Sequence, residues 1–444
     1  MLDDIIKERR KKLNQLYEAG VNPYPSKIKR TILINEALKN FNKLLIAKKS
    51  IFLAGRAIAL RDQGNLIFID LKDESGEIQG VFKKDNLKNF KILKQNLDVG
   101  DFLEINGPLF KTQKGEKSIE AKKAEIIAKS LKPLPSQWYG LKDVEERYRK
   151  RYLDIILNPE IKGKIFQRSE IIQEIRKSLL RADFLEVETP ILQPLAGGAL
   201  ARPFITHHNA LDCDFYLRIA PELYLKRLLI AGFEKIFEIG RVFRNEGIDR
   251  EHNPEFTMLE LYWAYQDWEG LMKFTEKLLK KFIPGEWQKM AYSEAIKKYA
   301  GKDLKNIKSE EIDEIFKKQA RPKIIEPTFI THYPKSISPL AKSCPDNPEL
   351  TERFQLIVDG MEIVNGFSEL NDPTEQRKRM EEQEKLYRSG DAEASRLDED
   401  FLEALEYGMP PAAGLGIGID RLAALIAKSH NIKEVIIFPT LKPK

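Results

Sequence analysis

The 444-residue chain has only two cysteines and five histidines, and each scarcity removes a class of protein. Cys213 and Cys344 lie 131 positions apart and form no CxxC pair. That argues against a disulfide scaffold or a zinc site and for a reducing cytoplasm. The histidines (His207, His208, His252, His332 and His430) do not cluster at ligand spacing, and the adjacent His207–His208 pair is more often structural than metal-binding. Long apolar runs are also missing. The stretches 422–427 and 435–438 are far too short to cross a bilayer, and the N-terminal MLDDIIKERRKKL carries charge where a secretory signal needs an apolar core. No membrane partner is expected. Neither GxxxxGK[ST] nor HExxH nor GxSxG occurs, and Gly414–Gly418 reads GxGxG rather than GxGxxG, so P-loop and Rossmann readings are weak.

What the chain does have is charge. Hydrophobic residues make up 42% and charged residues 32%, which describes a globular protein rather than a disordered one. The length allows two or three domains. Lys+Arg exceed Asp+Glu by 74 to 68, a net charge of +6, and the excess is uneven. Residues 1–140 carry 27 basic and 17 acidic side chains, a net of +10, leaving −4 for the remainder. A basic front end suits a polyanion-binding module. A lysine-rich solubility surface suits it equally well, and composition alone does not choose.

Periodicity divides the chain. Residues 3–18 place Ile5, Ile6, Leu13, Leu16 and Tyr17 among charges, the pattern of an amphipathic helix, and Gly20 with Asn22-Pro23-Tyr24-Pro25 stops it. Five short strands follow at 51–60, 66–71, 77–82, 102–110 and 118–127, with a helical interval near 86–97, which fits an OB-type β-barrel. A proline-punctuated linker (131–139) precedes renewed helical spacing. Beyond it, helices are predicted at 169–181 and 268–282, and strands near 206–210, 217–219, 235–243, 256–263, 354–364 and 414–419. Strands outnumber βαβ alternations, so a mostly antiparallel sheet flanked by helices is expected, an α+β body. The resulting division is an N-terminal helical segment (1–48), an OB-fold domain (49–130), a linker (131–150) and a larger domain (151–444).

Three segments set polar residues inside apolar, strand-like text. The first runs from Phe243-Arg244-Asn245-Glu246-Gly247 to His252-Asn253-Pro254-Glu255-Phe256. The second is Glu362–Asp372, whose alternation points Asn365, Phe367 and Glu369 to one face. The third, Gly414–Arg421, is a glycine-rich strand leading into a helix, with room for a flat ligand. Each has a plain structural reading: a hairpin arginine is usually a surface ion pair, and alternating glutamates usually face water. Together they are harder to dismiss.

With these segments in view, the sequence closely resembles bacterial-type class II lysyl-tRNA synthetases over essentially its whole length. The match runs from GVNPYP through GRAIALR and LPSQWYGLKDVEERYRKRYLDII to SHNIKEVIIFPTLKP. Phe184-Leu185-Glu186-Val187-Glu188-Thr189-Pro190 resembles the first class II motif, FRNEG…HNPEFTMLELY the second and GLGIGIDR the third. The stretch GGALARPFITHHNALDCDFYLRIAPELYLKRLL is especially specific to the lysine enzymes.

The resemblance implies that lysine attacks the α-phosphate of ATP, giving lysyl-adenylate and pyrophosphate, and that the lysyl group then passes to the 3′ end of tRNA(Lys). It implies catalytic roles for Arg244, Arg421 and Glu246, with Arg244 on the α-phosphate and amino-acid carboxylate and Arg421 on the γ-phosphate. Phe256 stacks on adenine, with Glu246 and His252 nearby. The lysine site takes Gly198, Glu222, Arg244, Glu260, Tyr262, Asn365, Phe367 and Glu369, with Glu369 and Tyr262 on the side-chain ammonium and Glu222 and Gly198 on the α-amino group. Mg²⁺, more than one ion per site, is implied at Glu362 and at Gln355, where the family normally has Glu. Arg61, Phe68, Gln79 and Glu116 fall at anticodon-contacting positions. A homodimer built around Pro190 is implied, although the apolar text there would equally suit a monomer core.

Several positions depart from the pattern. Gln355 removes a negative charge. Val364 is bulkier than the family's small residue, Leu60 replaces a common basic one, and Glu251 stands where relatives often carry Arg, with Arg250 beside it as a substitute. Segment 283–323 is also short. Three alternatives are weighed: an aspartyl or asparaginyl enzyme, opposed by NGFSELND and Tyr262; a paralogue that lysylates a protein, opposed by the barrel such paralogues usually lack; and a non-catalytic RNA-binding paralogue, favoured by Gln355 and opposed by Arg244, Arg421 and Glu369.

Overall fold

In the computed structural model, which describes residues 2–135, 141, 143–308 and 311–443, the chain divides into two units, 1–140 and 141–444. Residues 136–139 of the proline-punctuated stretch lie outside the described residues.

The first unit carries seven strands: β1 (Ile51–Asp62), β2 (Leu66–Lys72), β3 (Glu77–Lys83), β4 (Phe102–Gly107), β5 (Leu109–Lys111), β6 (Lys117–Glu120) and β7 (Lys123–Ala128). They form one sheet in the order β5-β6-β3-β2-β1-β4-β7, antiparallel except where β3 meets β6. Strict alternation drives it: Ile67, Ile69 and Leu71 of β2 are buried, and the residues between them are not. No ladder joins β5 to β7 among the described residues, so the expected barrel is not closed by strand pairing there. The predicted strand 102–110 is broken at Pro108, which has no N–H to donate to a ladder. The helix Leu2–Glu18 is present, yet its apolar stripe is narrower than the sequence suggested. Leu16 is buried while Ile5 and Tyr17 are exposed. Arg9 holds the helix instead, donating to the carbonyls of Val99, Ser130 and Lys132.

The second unit is built on a nine-stranded sheet. Its strands, with those of a small side sheet, are β8 (Leu185–Glu186), β9 (Leu192–Gln193), β10 (Ile205–His208), β11 (Cys213–Leu217), β12 (Lys235–Phe243), β13 (Glu255–Ala264), β14 (Gln288–Ala291), β15 (Thr328–Pro334), β16 (Ser343–Cys344), β17 (Asn347–Val358), β18 (Met361–Ser368) and β19 (Ala412–Gly418). The main order is β14-β15-β17-β18-β19-β13-β12-β8, with β16 on β17. Only the outermost pairs, β14–β15 and β12–β8, are parallel. The predicted strand 354–364 is two strands, because Asp359 and Gly360 adopt positive φ and turn the chain into a hairpin. Helices Pro159–Arg181, Trp268–Leu279 and Ile419–Ile426 cover one face and share a single core with Phe237, Leu259, Phe354 and Ile417. Both cysteines are free, and no helix among the described residues is long and apolar enough to cross a membrane.

Candidate active site

The β12–β13 hairpin, β18 and β19 converge on one cavity of about 710 Å³ in the second unit, within the usual range for a small-ligand site. Every residue proposed above for lysine, ATP or metal lines it except Glu369, which lies just beneath, fully buried.

One end is cationic. Asp420 accepts from the Thr257 amide at 2.8 Å and from Arg168 at 2.8 Å, which fixes the start of the Ile419–Ile426 helix and aims Arg421 into the cavity. Arg421 donates to the carbonyls of Glu251 (3.3 Å) and Glu362 (3.2 Å) and meets His252 Nε2 at 3.0 Å. The Arg244 guanidinium lies 5.2 Å from the centre of the Phe256 ring and donates to the Ile219 carbonyl. Burial holds Arg244 below its ordinary pKa; Glu246 offsets this and Arg421 adds to it. Two guanidiniums beside an aromatic face suit a nucleotide with phosphates.

The other end is acidic and closed. Glu222 opens the helix Glu222–Ile230, and one turn later Lys226 is completely buried. Lys226 Nζ lies 2.8 Å from Glu222 and 2.6 Å from Glu369. These contacts are not aligned as hydrogen bonds, so both carboxylate oxygens of Glu369 are buried without a donor among the described residues. Burial pushes the Glu369 carboxyl up to about 8, with Lys226 restraining the rise and Glu222 reinforcing it. For Lys226, burial favours neutrality, but the two carboxylates prevail and its pKa stands above that of an ordinary lysine. The Tyr262 hydroxyl donates to Glu260 at 3.0 Å, and burial raises Glu260 well above the carboxylate range, with Glu222 adding to the effect.

Two glycines make this geometry possible. Gly198 has φ +89°, and a Cβ there would sit 2.9 Å from that of Glu222. A side chain at Gly414 would collide with Glu369 and Tyr262.

At the proposed metal positions, Glu362 offers a carboxylate to the cavity, while the Gln355 carbonyl accepts from the Tyr333 hydroxyl at 2.9 Å. Asn365 is likewise taken by Arg353 Nε. No group of three or more His, Cys, Asp or Glu suited to a metal occurs among the described residues. The described residues therefore make no dedicated metal cage, and Glu362 is the carboxylate that would hold a Mg²⁺ there.

Sequence reasoning missed Lys226, although its spacing four residues after Glu222 on one helix was visible. It also missed Arg321, which pairs with Glu251 at 3.0 Å; Arg250, the suggested substitute, is exposed and off the cavity. Val364 is in the core on the far face of β18, away from the cavity.

In the first unit, Arg61 and Phe68 are register partners, as are Asp70 and Gln79, so all four share one sheet face. Phe68 is half-buried on the outer face, opposite the core side of β2. Arg61 forms a two-point pair with Asp70 (2.8 and 2.9 Å), and Gln79 accepts from Ser118 at 3.1 Å. Glu116 is exposed on the β5–β6 turn, and Leu60 packs against the core.

Residues 143–442 match the family described as tRNA synthetases class II (D, K and N), and residues 51–127 match the OB-fold nucleic acid binding domain. The chain is 45% identical to the lysine–tRNA ligase of Moorella thermoacetica, covering all of this chain and 98% of that one. It is 46% identical to the lysine–tRNA ligase of Syntrophomonas wolfei and 44% identical to that of Carboxydothermus hydrogenoformans, again along its whole length. The chain belongs to the class II tRNA synthetases of the D, K and N group, in the lysine–tRNA ligase family, with an OB-fold domain in front.

Proposed function

We infer that this chain activates L-lysine with ATP to lysyl-adenylate and pyrophosphate and then transfers lysine to the 3′ end of tRNA(Lys). The observation that carries the lysine assignment is the closed end of the cavity, where the buried carboxylates of Glu222 and Glu369 share one buried cation, Lys226, while the other end presents Arg244 and Arg421. Two buried carboxylates sharing one ammonium leave negative charge uncompensated, which is costly, and a substrate ammonium supplies the missing cation.

The site lays the substrates end to end. Glu369 and Tyr262 take the side-chain ammonium, Glu222 and the Gly198 backbone the α-amino group, with Glu260, Asn365 and Phe367 walling the cleft. Arg244 reaches both the lysine carboxylate and the α-phosphate, bringing nucleophile and electrophile together. Phe256 stacks on adenine, His252 and Glu246 flank it, and Arg421 neutralises the leaving pyrophosphate. No protein nucleophile is needed, because positioning and charge stabilisation lower this barrier. Mg²⁺, when bound at Glu362, adds neutralisation of the phosphates.

The outer face carrying Arg61, Phe68 and Gln79, with Glu116 at its edge, is the anticodon surface in this reading: an aromatic plane beside a cation stacks and reads unpaired bases. The enzyme acts as a cytoplasmic homodimer joined around Pro190, where Leu185, Ile191 and Leu192 are each over 40% exposed in the single chain.

The experiment is lysine-dependent ATP–pyrophosphate exchange without tRNA, followed by charging of tRNA(Lys). Exchange and charging together support the reading. Intact tRNA binding without exchange would make the chain an RNA-binding paralogue instead.

A further inference from the structure

Glu251 lies in the turn between β12 and β13, and it touches two arginines. Its carbonyl accepts from Arg421, and its carboxylate pairs with Arg321 at 3.0 Å. Arg321 begins a short 3-10 turn, Arg321–Lys323, far away in sequence. The backbone that follows is fixed independently of the ion pair: Asp359 and Gly360, at the tip of the β17–β18 hairpin, donate to the carbonyls of Ile325 and Ile324 at 2.9 and 2.8 Å. That same hairpin carries Glu362. The Arg321 side chain is 14% exposed, lines the cavity, and keeps its Nε buried without a partner among the described residues.

The ion pair engages only one nitrogen of the guanidinium and leaves other donors of the fork unused, and a buried guanidinium N–H left unpaired is unfavourable. Both facts make sense if the free donors of Arg321 serve a ligand. A bound triphosphate supplies several negative charges at the cationic end of the cavity, and a guanidinium matches phosphate oxygens well. Glu251 uses one edge of Arg321 and leaves the rest of the fork available.

We propose that Arg321 is a third arginine of the ATP site that contacts the β- or γ-phosphate, and that Glu251 is the positioning residue that holds it there. This rests on the reading of the cavity as an ATP site.

The test uses the full-length enzyme, comparing parent, Arg321→Met, Arg321→Lys, Glu251→Gln and the double variant Arg321→Met with Glu251→Gln. ATP binding and exchange are measured beside AMP binding and the KM for lysine. Arg321→Met is expected to raise the KM for ATP by about tenfold or more, the scale of one charged hydrogen bond, while AMP binding and the KM for lysine stay within about twofold. Arg321→Lys restores part of the loss. Glu251→Gln weakens ATP binding in the parent but adds nothing to Arg321→Met, as expected for two residues acting through one contact. If the parent binds ATP and Arg321→Met binds it equally well, or loses AMP to the same degree, the proposal is overturned while the ATP site stands. If the parent binds no ATP, the ATP-site reading fails and takes this proposal with it.

Discussion

Glu369 sits at the closed end of the cavity with the Lys226 ammonium 2.6 Å away. It is fully buried, its two oxygens lack aligned donors, and the neighbouring Gly414 leaves no space for another side chain. Neutralising it by Glu369→Gln is predicted to cost at least about 2 kcal/mol in lysine activation, roughly a thirtyfold loss, because one partner of a buried charge pair is removed. Exchange activity unchanged from the parent would remove Glu369 from the lysine site. A pH effect belongs to the same residue. In the empty site its carboxyl stands at about 8, raised by burial, restrained by Lys226 and raised further by Glu222. Below that pH a proton occupies the carboxylate that must receive the substrate ammonium, so lysine affinity falls as pH falls and levels off above about 8. The KM for lysine is therefore predicted to rise by up to about tenfold per unit below that point, while the KM for ATP changes less. A KM for lysine that stays flat from neutral to mildly alkaline pH would contradict this.

At the scale of elements, the β17–β18 hairpin carries both residues expected at metal. Glu362 faces the cavity, whereas the carbonyl of Gln355 is already engaged by Tyr333. Gln355→Glu is predicted to lower the Mg²⁺ concentration needed for half-maximal exchange, because it restores a negative charge beside Glu362; superimposable magnesium titrations would exclude it. The hairpin also shows what sequence reading reaches. The alternation of Asn365 and Phe367 placed both residues on the cavity face, since a two-residue period survives in any strand. The turn at Asp359–Gly360 was legible and was passed over: Asp-Gly between two apolar runs is a hairpin signal, and both residues take the positive φ that it calls for. The Glu251–Arg321 pair, by contrast, was beyond reach. The two residues are 70 positions apart, and nothing local in either segment announces the other. Lys226 was within reach but looked like an ordinary helix cation; its complete burial comes from the packing of Phe367 and Phe401 around it.

At the scale of the whole molecule, the uneven charge noted in the sequence has a physical reason in the proposed function. The OB-fold unit, with its net of +10, meets a polyanion, whereas the catalytic unit keeps carboxylates for a substrate ammonium and for metal. The exposed Leu185, Ile191 and Leu192 bear on assembly. Sedimentation is predicted to show a dimer for the parent and a shift towards monomer for Ile191→Lys, since burying an unpaired ammonium in an apolar interface is unfavourable. A parent that sediments as a monomer at micromolar concentration would rule the interface out. The central claim, that this cavity selects and activates lysine, is tested most directly by ATP–pyrophosphate exchange with lysine, ornithine and arginine compared at equal concentration. Lysine is predicted to support exchange far better than either analogue, because ornithine is one methylene shorter and arginine ends in a planar guanidinium, so neither sets a compact ammonium where lysine does. No exchange with lysine, or equal exchange with all three, would contradict the account.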